Sequence, residues 1–272
     1  MMTENTTRRS AVDERKVRPT ALHDELHDRE ASAAGKYRRL TVGERGLMYL
    51  LYYELVILLF SRLPGALGFL LRGLFYRPLF GALGQGVVIG QHVTFRHMHK
   101  IRLGDGVALG DYVSLDAMGG SGSGIELGNE VLIGRNTVLS TKGGVIAVGR
   151  GTNIGMNCLI IARDTTVTVG EGTLFAAYCY LMGGGVHGFQ RTDLPIMEQH
   201  LPSRGVAVGS DCWLGAGVKV ADGARVGDGS VVGAGAVVLE SLPPLSVAHG
   251  IPARVSRTRG GEQVPFEQQV KR

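Results

Sequence analysis

A six-residue period governs this chain from residue 87 onward. Aliphatic or aromatic residues recur at Leu103, Leu109 and Leu115, at Leu127, Ile133 and Leu139, and at Val148, Ile154 and Ile160. They continue at Val169, Phe175 and Leu181, then at Val208, Leu214, Val220, Val226, Val232 and Val238. A fixed short period of this kind means stacked structural units rather than one folded-over core. Glycine often follows the aliphatic residue, as at Gly104, Gly110, Gly128 and Gly134, but every third hexad lacks it, as at Asp116, Ser140 and Ile161. Three hexads therefore make one coil, a triangular turn of short parallel strands. Coils start at 103, 127, 148, 169, 208 and 226. The last step is 18 residues, and the earlier ones are 18 plus an insertion. The largest insertion, residues 183–205, should leave a corner as a loop.

The first residue of each hexad should point inward and stack on its equivalents. The fifth also points inward, where space is tight: Val107, Val113, Val131, Thr137, Thr152, Thr173, Val218, Ala224, Ser230 and Ala236. Cys158, Cys179 and Cys212 all take this fifth position and read as small buried hydrophobes. Odd in number and without a CxxC spacing, they suit a reduced intracellular set, not a disulfide framework or zinc ribbon. Composition agrees with a thin repetitive solid. Of 272 residues, 42 are glycine and 9 proline, and aromatics are 6%, too few for an ordinary globular core. The fold expected is all-β, a parallel β-helix over residues 87–243 with a C-terminal extension at 244–272.

Residues 1–46 alternate charges with Ser, Thr and Ala and read as a flexible tail, helical near 21–33 at most. Such a start is not a secretory signal. Residues 47–60, LMYLLYYELVILLF, are apolar except for Glu54; Arg62, Pro64 and Gly65 then break the run. Residues 66–80 are apolar again but carry Arg72 and Arg77. Both stretches look helical and are shorter than the roughly 20 residues a bilayer span needs. Segment 47–86 is thus either an interfacial membrane anchor, with its arginines at the headgroups, or a helical cap for the β-helix.

The pattern [LIV]-G-x-x-[small]-x, repeated in eighteen-residue coils, resembles the hexapeptide-repeat acyltransferases, which are left-handed parallel β-helices. The stretch VAVGSDCWLGAGVKVADGARVGDGSVVGAGAVVLESLPPLSVAHGIPARV, residues 206–255, is similar to the branch with maltose and galactoside O-acetyltransferases, serine O-acetyltransferase and xenobiotic acetyltransferases. The resemblance implies acetyl-CoA, or another acyl-CoA, as co-substrate. It implies a homotrimer with sites between subunits. It also makes a loop histidine the general base, and His187 in GGGVHGFQRTDLPIMEQ matches. Imidazole suits that role because it titrates near neutrality. Donor contacts carry over to Trp213, Gly215, Ala216, Gly233 and Ala234, and Arg254 and Arg257 match phosphate-binding residues. Relatives often have Thr-Lys where this chain has Leu239-Glu240, which sets a negative charge near those arginines. Asp116 is a candidate acceptor contact or a turn cap; Asp193 either orients His187 or holds the loop.

His97 and His99 flank Met98 but lack a third ligand, so no metal is expected. His23, His27, His200 and His249 read as tail, surface or packing residues. The net charge of +5 suits an anionic cofactor or membrane surface, and no nucleic-acid-binding motif accompanies it. The function expected is O-acyl transfer to a hydroxyl of a sugar or lipid-linked cell-envelope or exopolysaccharide precursor. It would occur in the cytoplasm, at the inner face of the membrane. The rivals are a serine O-acetyltransferase-like enzyme with a small soluble acceptor, and a non-catalytic β-helix scaffold.

Overall fold

The computed structural model describes residues 32–185, 187–199 and 201–261. Among them, the strands form three sheets of seven, nine and seven strands, each strand parallel to its equivalent in the next coil until the last pairing. The result is a parallel β-helix of seven coils. Its register follows the hexads: Leu103 pairs with Leu127, Leu127 with Val148, and Val148 with Val169. Val208 then stacks on Val169 across the long insertion. All of these are buried.

The β-helix begins earlier than residue 87. Ala82–Leu83 pairs with Arg102–Leu103, so a first coil runs from Ala82 to Arg96. Leu83, Ile89 and Phe95 are its inward residues, under Leu103, Leu109 and Leu115. The C-terminal extension is also ordered over part of its length. Ser246–His249 adds to the second sheet, and Arg254–Thr258 returns antiparallel beside it.

Glycine after the aliphatic residue is a stacking requirement. A Cβ on Gly104 would lie 2.7 Å from the backbone nitrogen of Asn129 in the next coil. The left-handed residue of each corner comes two positions later: Gly106 at φ 67°, Tyr112 at 60°, Tyr178 at 64°. Polar residues at the fifth position are satisfied by a relay between coils. The Thr152 hydroxyl donates to Gly170 O (2.7 Å) and accepts from Thr173 N (3.2 Å). Thr173 repeats this with Gly209 O and Cys212 N.

Three helices precede the coils: α1 (Ala33–Val42), α2 (Leu47–Phe60) and α3 (Gly65–Phe75). Helix α1 corrects the expected tail, whose remaining residues, like His23, His27 and the possible 21–33 helix, lie almost wholly outside the described residues. Ser32 caps α1 by accepting from Gly35 N (3.1 Å), and Arg39 O meets the His97 ring at 2.9 Å. With few apolar residues, α1 left no period to read. Helices α2 and α3 close the N-terminal end of the β-helix. Leu50, Tyr53 and Val56 of α2 are buried, and the Tyr53 hydroxyl donates to Phe95 O.

Arg72 does not reach outward as expected of a headgroup contact, and Arg77, although exposed, is tied to carbonyls of the first coil. The Arg72 guanidinium is buried and donates to Phe60 O (2.9 Å), Leu63 O (2.7 Å) and Ile89 O (2.8 Å). It ties the end of α2 to the first coil. Arg77 bonds Leu83 O and Gly84 O. The outer sides of both helices are apolar and exposed: Leu51, Leu55 and Leu58 on α2, Leu67, Leu70 and Leu74 on α3. Among the described residues no helix is long and apolar enough to cross a membrane.

Candidate active site

The long insertion leaves coil five after the strand Tyr180–Gly183 and returns at Val206–Val208. Asp222, one coil further on, fastens both its ends. Its Oδ1 accepts from Gly184 N and Gly205 N, each at 2.7 Å, and its two oxygens share Arg204 N at 3.1 and 3.0 Å. Gly184 is obligatory, since its φ is 76° and a Cβ would come within 2.2 Å of Arg163 O. Within the loop, the Gln199 side chain accepts from Arg191 N (3.1 Å) and donates to Arg191 O (2.6 Å) and Leu194 O (2.9 Å). Gly188 N donates to Gln199 O (2.6 Å). His187 stands half-buried between these two sets of bonds.

Asp193 sits in the same loop but directs both carboxylate oxygens at Arg191, at 3.0 and 2.5 Å. Its pKa is lowered by that hydrogen bond. Asp116 accepts from Met118 N (3.1 Å) and faces Arg96 at 3.6 Å, a turn-capping arrangement. It aligns with Ser140 in the third sheet, three strands from Met182. That is about 14 Å from the base of the His187 loop at ordinary strand spacing.

Trp213 lies on the second sheet, 55% exposed, between Leu174 and Val231. Gly215 packs so closely on coil seven that a Cβ would meet Ala234 N at 2.6 Å. Gly233 keeps clear of His249, whose Cβ would lie 3.0 Å from an added one. Ala216 and Ala234 are exposed on one corner of successive coils, and their N–H groups meet no acceptor among the described residues. Tyr178, exposed and left-handed, occupies that corner one coil earlier, level with the start of the His187 loop. One hexad, a single side of the triangle and at most about 20 Å of extended chain, separates Ala216 from Asp222. The alanine corner and the histidine corner are therefore different corners of one chain.

On the last strand, Arg254 pairs with Glu240 at 3.3 Å, both exposed, and Arg257 is partly exposed nearby. The negative charge at position 240 thus already engages one of the two arginines. His97 is buried, and its ring stacks on His99 at 5.9 Å. Burial, then Arg45, His97 and Lys100, push His99 down to about 4. No group of three or more His, Cys, Asp or Glu able to hold a metal occurs among the described residues. The three cysteines are free and buried. His200 lies outside the described residues.

The hexad pattern and the motif resemblance do not single out Asp222, Gln199 or Tyr178. Asp222 had one signal: it directly follows Ala221, where a third hexad lacks its glycine, one coil beyond the insertion.

Residues 205–240 match the family model described as bacterial transferase hexapeptide (six repeats). The match covers those residues alone, and they carry the six-residue repeat of that family. The matched stretch supplies coils six and seven almost entire, with Trp213, Ala216 and Ala234. Similar solved structures include a variant of AntD, an N-acyltransferase from Bacillus cereus, in complex with dTDP and coenzyme A. It is 17% identical, with 72% of this chain and 93% of that chain covered and a TM-score of 0.46. A maltose O-acetyltransferase from Clostridium difficile 630 is 19% identical, with 79% and 90% covered and a TM-score of 0.42. A galactoside acetyltransferase in complex with coenzyme A is 21% identical, with 77% and 80% covered and a TM-score of 0.43. Comparison with curated proteins finds no match.

Proposed function

We propose that this hexapeptide-repeat chain is an acyltransferase that moves an acyl group, acetyl first of all, from coenzyme A to an acceptor hydroxyl. The observation that carries the reading is the anchored loop: a histidine held in a bypass of the coil, one triangle side from a corner of exposed alanines. His187 takes the proton of the acceptor hydroxyl as its oxygen attacks the thioester carbonyl. The C–S bond then breaks, and the imidazolium returns the proton to the departing thiolate, leaving an ester and free coenzyme A. The N–H groups of Ala216 and Ala234 suit the amide carbonyls of the pantetheine arm. Trp213 walls that groove, and Arg254 and Arg257 suit its phosphates. Asp116 and Asp193 are the acidic candidates for the acceptor side.

Because the two corners of one chain lie apart, a neighbouring copy would complete each site, and a homotrimer around a threefold axis does this. The apolar outer faces of α2 and α3, with Arg45 and Arg62 exposed at the ends of α2, suit the interface of an anionic bilayer. The loop leaves coil five, four steps of about 4.8 Å above the capped first coil. One helix diameter adds about 10 Å. A site roughly 30 Å above the acyl layer suits the outer sugars of a lipid-linked saccharide better than a lipid headgroup. The compartment would be the cytoplasmic side, where acyl-CoA is supplied.

The test is thiol release from acetyl-CoA by full-length protein, offered soluble sugars, amino acids and lipid-linked saccharides. Release that rises with a lipid-linked saccharide alone supports the whole reading. A response to serine or a soluble sugar alone keeps the chemistry and removes the lipid carrier. No release with any acceptor, and no binding of coenzyme A, would make the β-helix a scaffold.

A further inference from the structure

We infer that Asp222 is a positioning residue for His187, acting across the boundary between two coils. The argument starts from its surroundings. The carboxylate side chain is 2% exposed. It takes no lysine or arginine as a close partner; the Arg204 guanidinium stands 4.0 Å away and is itself mostly exposed. Its bonds go to backbone N–H groups on both sides of the insertion, Gly184 before it and Arg204 and Gly205 after it. A carboxylate in a pocket of converging N–H groups is a strong, charge-assisted arrangement.

Two glycines are shaped to it. Gly184 and Gly205 have φ of 76° and 84°, and Cβ atoms there would meet Arg163 O at 2.2 Å and Thr166 O at 2.5 Å. The chain can therefore enter and leave the loop only in this left-handed form, with both N–H groups turned toward coil six. The clamp is reinforced from the other side, where Gly223 N donates to Gly205 O at 2.6 Å. His187 follows Gly184 by three residues, so the exit direction set by Asp222 fixes where the imidazole begins. Gln199 fixes the loop beyond it. The hexad core does not need this: at the matching corner of coil seven stands Glu240, exposed and paired with Arg254.

The role differs from catalysis, because the hydrogen bonds of Asp222 go to the backbone at the ends of the loop and not to the imidazole or the donor corner. This inference rests on His187 being the base only for its kinetic half; the clamp itself is read separately. Asp222→Ala leaves three N–H groups without their acceptor. Asp222→Asn keeps an oxygen for Gly184 and Gly205 but turns an NH2 toward Arg204 N.

The experiment compares wild type, Asp222→Ala and Asp222→Asn as full chains. Turnover is read by thiol release from acetyl-CoA, and loop order by the rate of tryptic cleavage after Arg191. Asp222→Ala is expected to lower kcat by roughly 10–100-fold, the scale of an ångström-level misplacement. KM for acetyl-CoA should stay within about threefold, since the donor corner is elsewhere. Cleavage at Arg191 should accelerate at least about tenfold, while hydrogen exchange in coils two to four is unchanged. Asp222→Asn should recover most of both effects. Unchanged cleavage in Asp222→Ala overturns the clamp, and so does a rise in KM with kcat intact. If cleavage accelerates but His187→Ala is fully active, the clamp stands and the catalytic reading of His187 falls.

Discussion

Replacing Arg72 by methionine separates the two roles open to the helical segment. In the structure its guanidinium makes three hydrogen bonds to carbonyls, at 2.7–2.9 Å, inside the joint between α2, α3 and the first coil. Methionine keeps the packing of the stem and removes all three donors. Each such bond is worth about 1–1.5 kcal/mol net, and the orphaned carbonyls are partly buried, so the joint should lose about 4 kcal/mol. At 1.4 kcal/mol per decade that is about 10³ in the local opening equilibrium. In a solenoid each coil leans only on its neighbours, so the loss should stay local. Amide exchange reads it directly. The Val88, Gly90 and Thr94 amides, which donate to Val107, Leu109 and Val113 of coil two, should exchange about 10³-fold faster. The Trp213 and Lys219 amides, in coil six, should not change. Arg72→Lys should rescue little, because one ammonium cannot span three carbonyls. First-coil protection within about threefold of wild type would refute the reasoning and return Arg72 to the surface.

His187→Ala should lower thiol release with acceptor by about 10²–10⁴-fold and leave the far-ultraviolet spectrum and melting midpoint as in wild type. Glu240→Gln frees Arg254 from an exposed ion pair worth at most about 1 kcal/mol, so coenzyme A should bind up to about fivefold tighter by calorimetry. Weaker binding would take Arg254 away from the phosphates. His99 is pushed from 6.5 down to about 4, so between those pH values the unfolded chain binds the extra proton. Stability should therefore fall as pH drops through that window, and denaturant midpoints of His99→Gln should fall less steeply than those of wild type.

The coil was legible because its physics is local and repeated. One inward aliphatic residue every six positions, with a glycine where the next coil presses closest, is visible in Leu103-Gly104 and in every later pair like it. The first coil escaped because Leu103 follows Phe95 by eight residues instead of six, which breaks the spacing. Helix α1 escaped for the opposite reason: its contacts, Ser32 to Gly35 and Arg39 to His97, are polar and leave no apolar period. His187 was found through resemblance and loop position. Asp222 was not, since its partners are backbone groups 17 to 38 residues away and no side-chain pattern marks them. The sense of the coil is likewise absent from hexad spacing.

The helical segment need not choose between cap and anchor, because the cap and the proposed membrane contact would use opposite faces. On α2, Leu50, Tyr53 and Val56 look inward, while Leu51, Leu55 and Leu58 are 53%, 53% and 78% exposed. Deleting residues 1–82 would strip both faces at once and uncover Phe95, so it cannot separate membrane release from loss of the cap. Paired substitution of the outer face can. Leu55→Gln with Leu58→Gln lies on exposed positions, where a change costs the fold about 0.5 kcal/mol or less. In an acyl layer each leucine would be worth about 1.5–3 kcal/mol, so the pair should weaken binding to phosphatidylglycerol vesicles by about 100-fold or more. Vesicle flotation measures this, and first-coil exchange should remain at wild-type protection. If wild-type protein does not float, the bilayer is not what covers this face, and a soluble acceptor becomes the better substrate. If both proteins float equally, contact with the membrane runs through other residues, and the height of the catalytic loop above it has to be measured from them.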